Sequence, residues 1–126
     1  MFRNSKAFSG FSVNDLQKAK QFYGYLLKIE ISQQEDMPVL SLHLGGDSHV
    51  MLYEKENHIP ATFTVLNFPV ENIEEAVADL KNHGISFESY DSPGLKTDAD
   101  NIMRGNGPKI AWFKDPAGNI LSVLES

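Results

Sequence analysis

Trp112-Phe113-Lys114-Asp115-Pro116-Ala117-Gly118-Asn119-Ile120-Leu121-Ser122-Val123-Leu124-Glu125 is the stretch on which the fold of this chain turns. Two apolar runs flank residues 115–119, and each residue of that centre has a reason to be in a turn. Pro116 fixes its own φ, Gly118 reaches positive φ without steric cost, and Asp115 and Asn119 carry short side chains that hydrogen-bond nearby backbone. A strand–turn–strand hairpin follows. The glycine sits alone rather than in a phosphate-cradling series, so the segment is a turn and not a nucleotide loop.

Outward from the hairpin, composition sets the bounds. The chain has 126 residues, 41% of them hydrophobic, which is enough for one core and leaves no room for a second domain. Seventeen acidic against 11 basic residues give a net charge of -6 with no cluster of Lys or Arg, which argues against nucleic acid as a partner. The start, Met1-Phe2-Arg3-Asn4-Ser5-Lys6, has no apolar signal-peptide core, and no run is long enough to span a bilayer, so the expectation is a cytoplasmic protein with no membrane partner. With no cysteine, disulfides, thiolate metal sites and a Cys nucleophile are excluded, and a metal would need His, Asp or Glu.

The chain also repeats itself. Phe11-Ser12-Val13-Asn14-Asp15-Leu16 precedes Leu16, Ala19, Phe22, Tyr23 and Leu26 at helical spacing, with Asn14 or Asp15 as N-cap. Phe68-Pro69-Val70-Glu71-Asn72-Ile73 precedes Ile73, Ala76, Val77 and Leu80, with a capping box from Asn72 to Glu75 and a stop at Gly84. Strand-like runs follow each helix: 28–31, 39–44 and 49–53 in the first half, 85–88 and the terminal hairpin in the second. Each half therefore reads strand-helix-strand-strand-strand.

This order, closed by the terminal hairpin, resembles the vicinal oxygen chelate superfamily of glyoxalase I, bleomycin and fosfomycin resistance proteins and extradiol dioxygenases. The resemblance covers nearly the whole chain. It implies an α+β fold in which two βαβββ modules, about 1–57 and 58–126 of a single glyoxalase-like domain, pair mixed sheets around a cupped cavity. A homodimer is the assembly it implies. Strand alternation then assigns faces. Phe11 and Val13 pack beneath the first helix, leaving Phe8, Gly10 and Ser12 to face inward. Phe68 and Val70 pack on the second, leaving Phe63, Val65 and Asn67. Leu40, Leu42, Leu44, Val50 and Leu52 share one face of the central hairpin, and Ser41, His43, His49, Met51 and Tyr53 the other. The last strand offers Ile120, Ser122 and Leu124, and Trp112 faces inward if Phe113 faces the helix. A bulge would reverse any of these.

Catalytic members of the resembled family hold a divalent ion with one side chain from each of four strands. Carried onto this chain by spacing, those positions fall on Phe8, Met51, Val65 and Ser122. Three are apolar and one is a neutral hydroxyl, so the expectation is no metal at the usual place, no cofactor, and no catalytic residue to name.

The leading reading is a metal-independent small-molecule binding protein resembling the antibiotic-sequestering members, not an enzyme. Its ligand would be held by Phe8, Met51, Tyr53, Phe63, Val65 and Trp112 and oriented by Asn67, Ser122 and Arg104. The alternative is a metal-dependent lyase, transferase or dioxygenase with its metal relocated to His43, His49 and a carboxylate such as Glu54. A third is a structural or regulatory dimer whose cup is filled by side chains. His58 and His83 read as structural, the latter favoured by a helix C-terminus. Residues 89–108 lack periodicity and read as a loop over the cup, with Arg104 available to an anion and Ile102 and Met103 to an apolar ligand.

Overall fold

The structure, a computed structural model, describes residues 1–105 and 107–126, so Asn106 of the long segment lies outside the described residues. The backbone divides into two compact units, Met1–Pro60 and Ala61–Ser126.

In the first unit, β1 (Ser9–Val13) leads to α1 (Leu16–Lys20), which runs on into a π-helical turn over Gln21–Leu26. Strands β2 (Glu30–Gln33), β3 (Val39–Leu44) and β4 (Ser48–Glu54) complete it. The sheet order is β1-β4-β3-β2, with β1 parallel to β4 and the other pairs antiparallel. The helix begins where Asp15 Oδ1 accepts the Lys18 N–H at 3.1 Å, so Asp15 rather than Asn14 is the cap. Leu16, Ala19, Phe22 and Tyr23 are buried with Val13, Leu40, Leu42, Val50 and Leu52, which all lie on one sheet face. Each Val, Leu or Phe among them contributes roughly 1.5–3 kcal/mol. The π-helical turn lies hard against β2: a Cβ on Gly24 would come within 2.7 Å of Ile31 Cδ1, so glycine permits that approach.

The second unit repeats the plan with β5 (Thr64–Pro69), α2 (Ile73–Asn82), β8 (Lys109–Lys114) and β9 (Ile120–Glu125), preceded by a two-residue hairpin of β6 (Asp91–Ser92) and β7 (Leu95–Lys96). Its sheet order is β5-β9-β8, with β5 parallel to β9. Asn72 Oδ1 accepts the Glu75 N–H at 3.0 Å, and the helix stops at Gly84, whose φ is +89°. His83 donates through Nδ1 to the Asp79 carbonyl at 2.7 Å and so closes the C-terminus. In the turn, Asp115 Oδ1 accepts the N–H groups of Ala117 at 3.0 Å and Asn119 at 2.8 Å, Oδ2 accepts from Asn119 Nδ2 at 2.9 Å, and Gly118 takes φ +87°.

Both units share a device that ties the helix to the last strand. Glu54 Oε2, at the end of β4, accepts the Leu16 N–H at 2.8 Å; Glu125 Oε1, at the end of β9, accepts the Ile73 N–H at 3.2 Å. Each carboxylate thus satisfies an N-terminal donor that the helix itself cannot.

Two sequence expectations are corrected. The strand expected over 85–88 is reduced to one bridge between Phe87 and Phe113, with the Glu88 N–H on the Trp112 carbonyl. Its first residue is already engaged, because the Ile85 N–H donates to the Leu80 carbonyl at the helix end. The segment 89–108 is not structureless either. Beyond β6 and β7, Asp98 Oδ1 accepts the N–H groups of Asp100 and Ile102, and Asn101 at φ +69° donates to the carbonyls of Phe87 and Glu88. Ile102 is 1% exposed in the core of this unit, so it is not a ligand cover, and Met103 bridges Ile110.

Candidate functional site

The second unit presents the more developed face. Trp112, Ser122 and Asn67 are register partners across β8, β9 and β5, so their side chains form a row on the face opposite the core residues Phe113, Leu121 and Val123. Ser122 has no solvent exposure, and its hydroxyl donates to Asn67 Oδ1 at 2.6 Å. Trp112 Nε1 donates to Thr64 Oγ1 at 3.1 Å. Because β9 lies between β8 and β5, that bond carries the indole across β9 and fixes it over the sheet.

Thr64 enters this site through a bulge. The register of β5 shifts between Thr64, opposite Ile120, and Leu66, opposite Leu121, so Thr64 shares the face of Asn67 and Val65 has no partner on β9. The simple alternation behind the inward placing of Val65 is broken at this bulge, which brings Thr64 onto the face of Asn67. Phe63 precedes the strand and is 67% exposed.

Tyr90 completes an aromatic corner, its ring edge-on to Trp112 at 5.4 Å and 85°. Burial first, and the Glu88 carboxylate second, push the Tyr90 hydroxyl above the usual tyrosine range, while Lys114 opposes them. The phenol stays a neutral donor at physiological pH. Glu88 itself pairs with Lys114 at 3.4 Å. The result is two perpendicular rings beside an amide whose Oδ1 is engaged and whose NH₂ remains available to a ligand.

In the first unit the corresponding face carries Gly10, Ser12, Ser41, Met51 and Tyr53. Met51 lies against Gly10, where a Cβ would meet the Met51 carbonyl at 3.0 Å. Phe8 stacks on His49 with centroids 4.5 Å apart. Ser12 Oγ and His58 Nδ1 are 2.6 Å apart, which gives His58 the structural place expected of it. Tyr53 is 37% exposed.

A divalent ion at the expected positions is tested by these contacts and does not fit. Phe8 is stacked on an imidazole, Met51 offers a thioether, Val65 sits in a bulge, and the Ser122 hydroxyl is closed beneath an indole with its hydrogen donated to Asn67. Nothing there supplies the anionic oxygen or imidazole nitrogen such a cation needs. The relocated set also fails. Glu54 lies on the opposite face of β4 from His49 and is bonded to the Leu16 N–H. Among the described residues, no three His, Asp or Glu groups are assembled to hold a metal.

Arg104 is engaged within its own unit rather than open to an anion. Its Nε donates to Asp98 Oδ2 and its Nη1 to Glu74 Oε1, both at 2.7 Å. The guanidinium bonds hold the carboxyls of Asp98 and Glu74 below the usual carboxylate range. Sequence reasoning missed Thr64 and Tyr90: a bulge leaves no signal in the alternation, and Tyr90 sits in an aperiodic segment.

An α+β chain of two like units with parallel first and last strands belongs to a recognisable class, and comparison identifies it. The chain belongs to the Glyoxalase/Bleomycin resistance protein/Dioxygenase superfamily, whose family model matches residues 8–123. Its fold is similar to that of a glyoxalase family protein from Enterococcus faecalis, 26% identical, with a TM-score of 0.71 over 99% of this chain and 100% of that one. TnmS3, an antibiotic binding protein from Streptomyces sp. CB03234, is 21% identical with a TM-score of 0.68 over 94% of each chain. The fosfomycin resistance protein FosX from Listeria monocytogenes is 13% identical with a TM-score of 0.70 over 95% of this chain and 91% of that one, and at such identities the likeness is one of fold. No curated protein matches the sequence.

Proposed function

We propose that this protein binds a small organic ligand without a metal at the family's usual positions, in the manner of a sequestering protein rather than an enzyme. The observation that carries the reading is Ser122: fully buried, bonded to Asn67 and crossed by the Trp112 indole, it occupies a ligand-strand position with a neutral, satisfied group. Affinity without chemistry needs apolar area and a few orienting polar groups. Trp112 and Tyr90 of the second unit supply the former, and the Asn67 amide and the Tyr90 hydroxyl of the same unit supply the latter. That TnmS3 is an antibiotic binding protein is consistent with such use of the fold. A homodimer and a cytoplasmic location belong to the same proposal, tested by light scattering and cell fractionation.

Trp112 is the single tryptophan of the chain, so its fluorescence reports this face directly. A screen of aromatic antibiotics and metabolites should find compounds that change its emission equally with and without EDTA. The Asn67→Ala variant should weaken them by about tenfold, the value of one hydrogen bond. Binding that vanishes with EDTA and returns with a divalent ion would overturn the proposal.

A further inference from the structure

The hydrogen bonds already made on the Trp112 face sort its ligands by chemistry. The indole spends its single donor, Nε1–H, on Thr64 Oγ1 at 3.1 Å, and Asn67 Oδ1 accepts the Ser122 hydroxyl at 2.6 Å. What stays open is protons. Among the described residues, nothing accepts the Thr64 hydroxyl proton, the Asn67 amide protons or the Tyr90 hydroxyl proton. We propose that this face selects flat aromatic molecules with carbonyl or similar acceptor oxygens on their rim and rejects those with amino groups there, which rests on the reading of the face as the ligand site.

Three observations carry it. First, the two internal bonds run in the direction that strengthens the open donors, because a hydroxyl or amide whose oxygen already accepts is polarised to donate. Second, Tyr90 keeps its proton. Burial and the Glu88 carboxylate both hold the phenol in its neutral form, and Glu88 is itself paired with the Lys114 ammonium at 3.4 Å. Third, the surroundings suit a flat ring. Ile110–Leu124 and Lys114–Ile120 are the register pairs on either side of Trp112–Ser122, so half-buried Ile110, Leu124 and Ile120 flank the indole on its own sheet face. Tyr90 stands at 85° to the indole, which makes an aromatic corner. A planar ligand lies against one ring while its rim meets the donors.

The test is calorimetry with two probes on one naphthalene frame. N-methylnaphthalimide carries two carbonyl oxygens and no N–H, and peri-diaminonaphthalene carries amino donors at the same ring positions. The imide should bind at least about tenfold tighter, since amino groups set against donors leave both unpaired, and it should shift the Asn67 side-chain amide signals. Asn67→Asp retains an acceptor for Ser122 but exchanges the amide protons for a carboxylate oxygen, so it should abolish or reverse the preference. Tyr90→Phe removes one proton and keeps the ring, and should narrow the preference about threefold. Urea melts show that each variant is folded. Equal affinity for the two probes, preference for the diamine, or an unchanged preference in Asn67→Asp overturns the inference and leaves the face a ligand site. If neither probe binds and the wider fluorescence screen finds only ligands without rim acceptors, the inference again fails alone; if that screen finds no ligand, the reading beneath it fails too.

Discussion

Replacing Asp115 by Ala should cost more stability than any other alanine substitution within the 115–119 turn. The side chain is 5% exposed, and its carboxylate accepts from two backbone N–H groups and from Asn119 Nδ2, at 3.0, 2.8 and 2.9 Å. Asn119 is itself 2% exposed, so its donors have no water to turn to. A buried donor left without a partner costs about 1–3 kcal/mol, and hydrogen bonds to a charged acceptor lie in the upper half of their range. Two donors on Asn119 and one partly buried donor on Ala117 give a destabilisation of about 3–4 kcal/mol, allowing for relaxation of the turn. For a chain of this size that lowers Tm by roughly 10–15 °C. Urea melts followed by Trp112 emission should show the transition midpoint falling at unchanged slope. Asp115→Asn keeps one acceptor oxygen and should lose only about half as much. A loss below about 1 kcal/mol in Asp115→Ala would refute the claim that this carboxylate organises the turn.

Three further outcomes follow from the same geometry. Glu54→Ala and Glu125→Ala each remove a helix N-terminal acceptor and should each cost about 1 kcal/mol; their partners, Leu16 and Ile73, differ, so the double variant should sum them in a denaturant melt. Asp98 and Glu74 titrate below their ordinary values because Arg104 bonds their charged forms, so the stability they add is present above the unfolded values of 3.8 and 4.5 and is lost as pH falls through the lowered folded ones. Arg104→Gln should therefore flatten the acid limb of the stability–pH curve, lowering stability above it and leaving the slope near neutral pH unchanged; a parallel acid limb in variant and parent would contradict this. Ser122→Glu places a carboxylate at a site with no solvent exposure under Trp112, and should destabilise by about 3 kcal/mol or more without creating a zinc site, since Phe8 and Met51 still offer no ligand; zinc-dependent stabilisation of that variant would refute the argument.

What the sequence made legible was local. Caps at Asp15 and Asn72, the stop at Gly84 and the Asp115–Asn119 turn each depend on neighbours within four residues, and each is where spacing put it. The alternation that set Ser122 and Trp112 on one face also held, because β8 and β9 pair without a slip. It was interrupted in β5, where a bulge between Thr64 and Leu66 brought Thr64 onto the face of Asn67. Contacts at long separation left no trace in any pattern: Glu54 lies 38 residues from Leu16, Glu125 lies 52 from Ile73, and Arg104 lies 30 from Glu74. A charged side chain in a sequence reads as free until the fold supplies its partner, which is why Arg104 and Glu54 were open to ligand roles there.

The two strand-end glutamates explain why a chain with 17 acidic residues offers no carboxylate at the usual metal positions. Glu54 follows Met51 by three residues (54 − 51) and Glu125 follows Ser122 by three (125 − 122), an odd offset in both strands. Strand alternation sends each glutamate to the face opposite its neighbour. There each meets a helix N-terminus that needs an acceptor, Leu16 in one unit and Ile73 in the other. A one-residue slip could not recruit either to the ligand face without turning Leu52 or Leu121, both fully buried, out of the core. The carboxylates are thus fixed by packing to a structural role. The opposite faces are left to Met51 in the first unit and to Ser122, Asn67 and Trp112 in the second, and none of these offers the anionic oxygen that a hard cation needs.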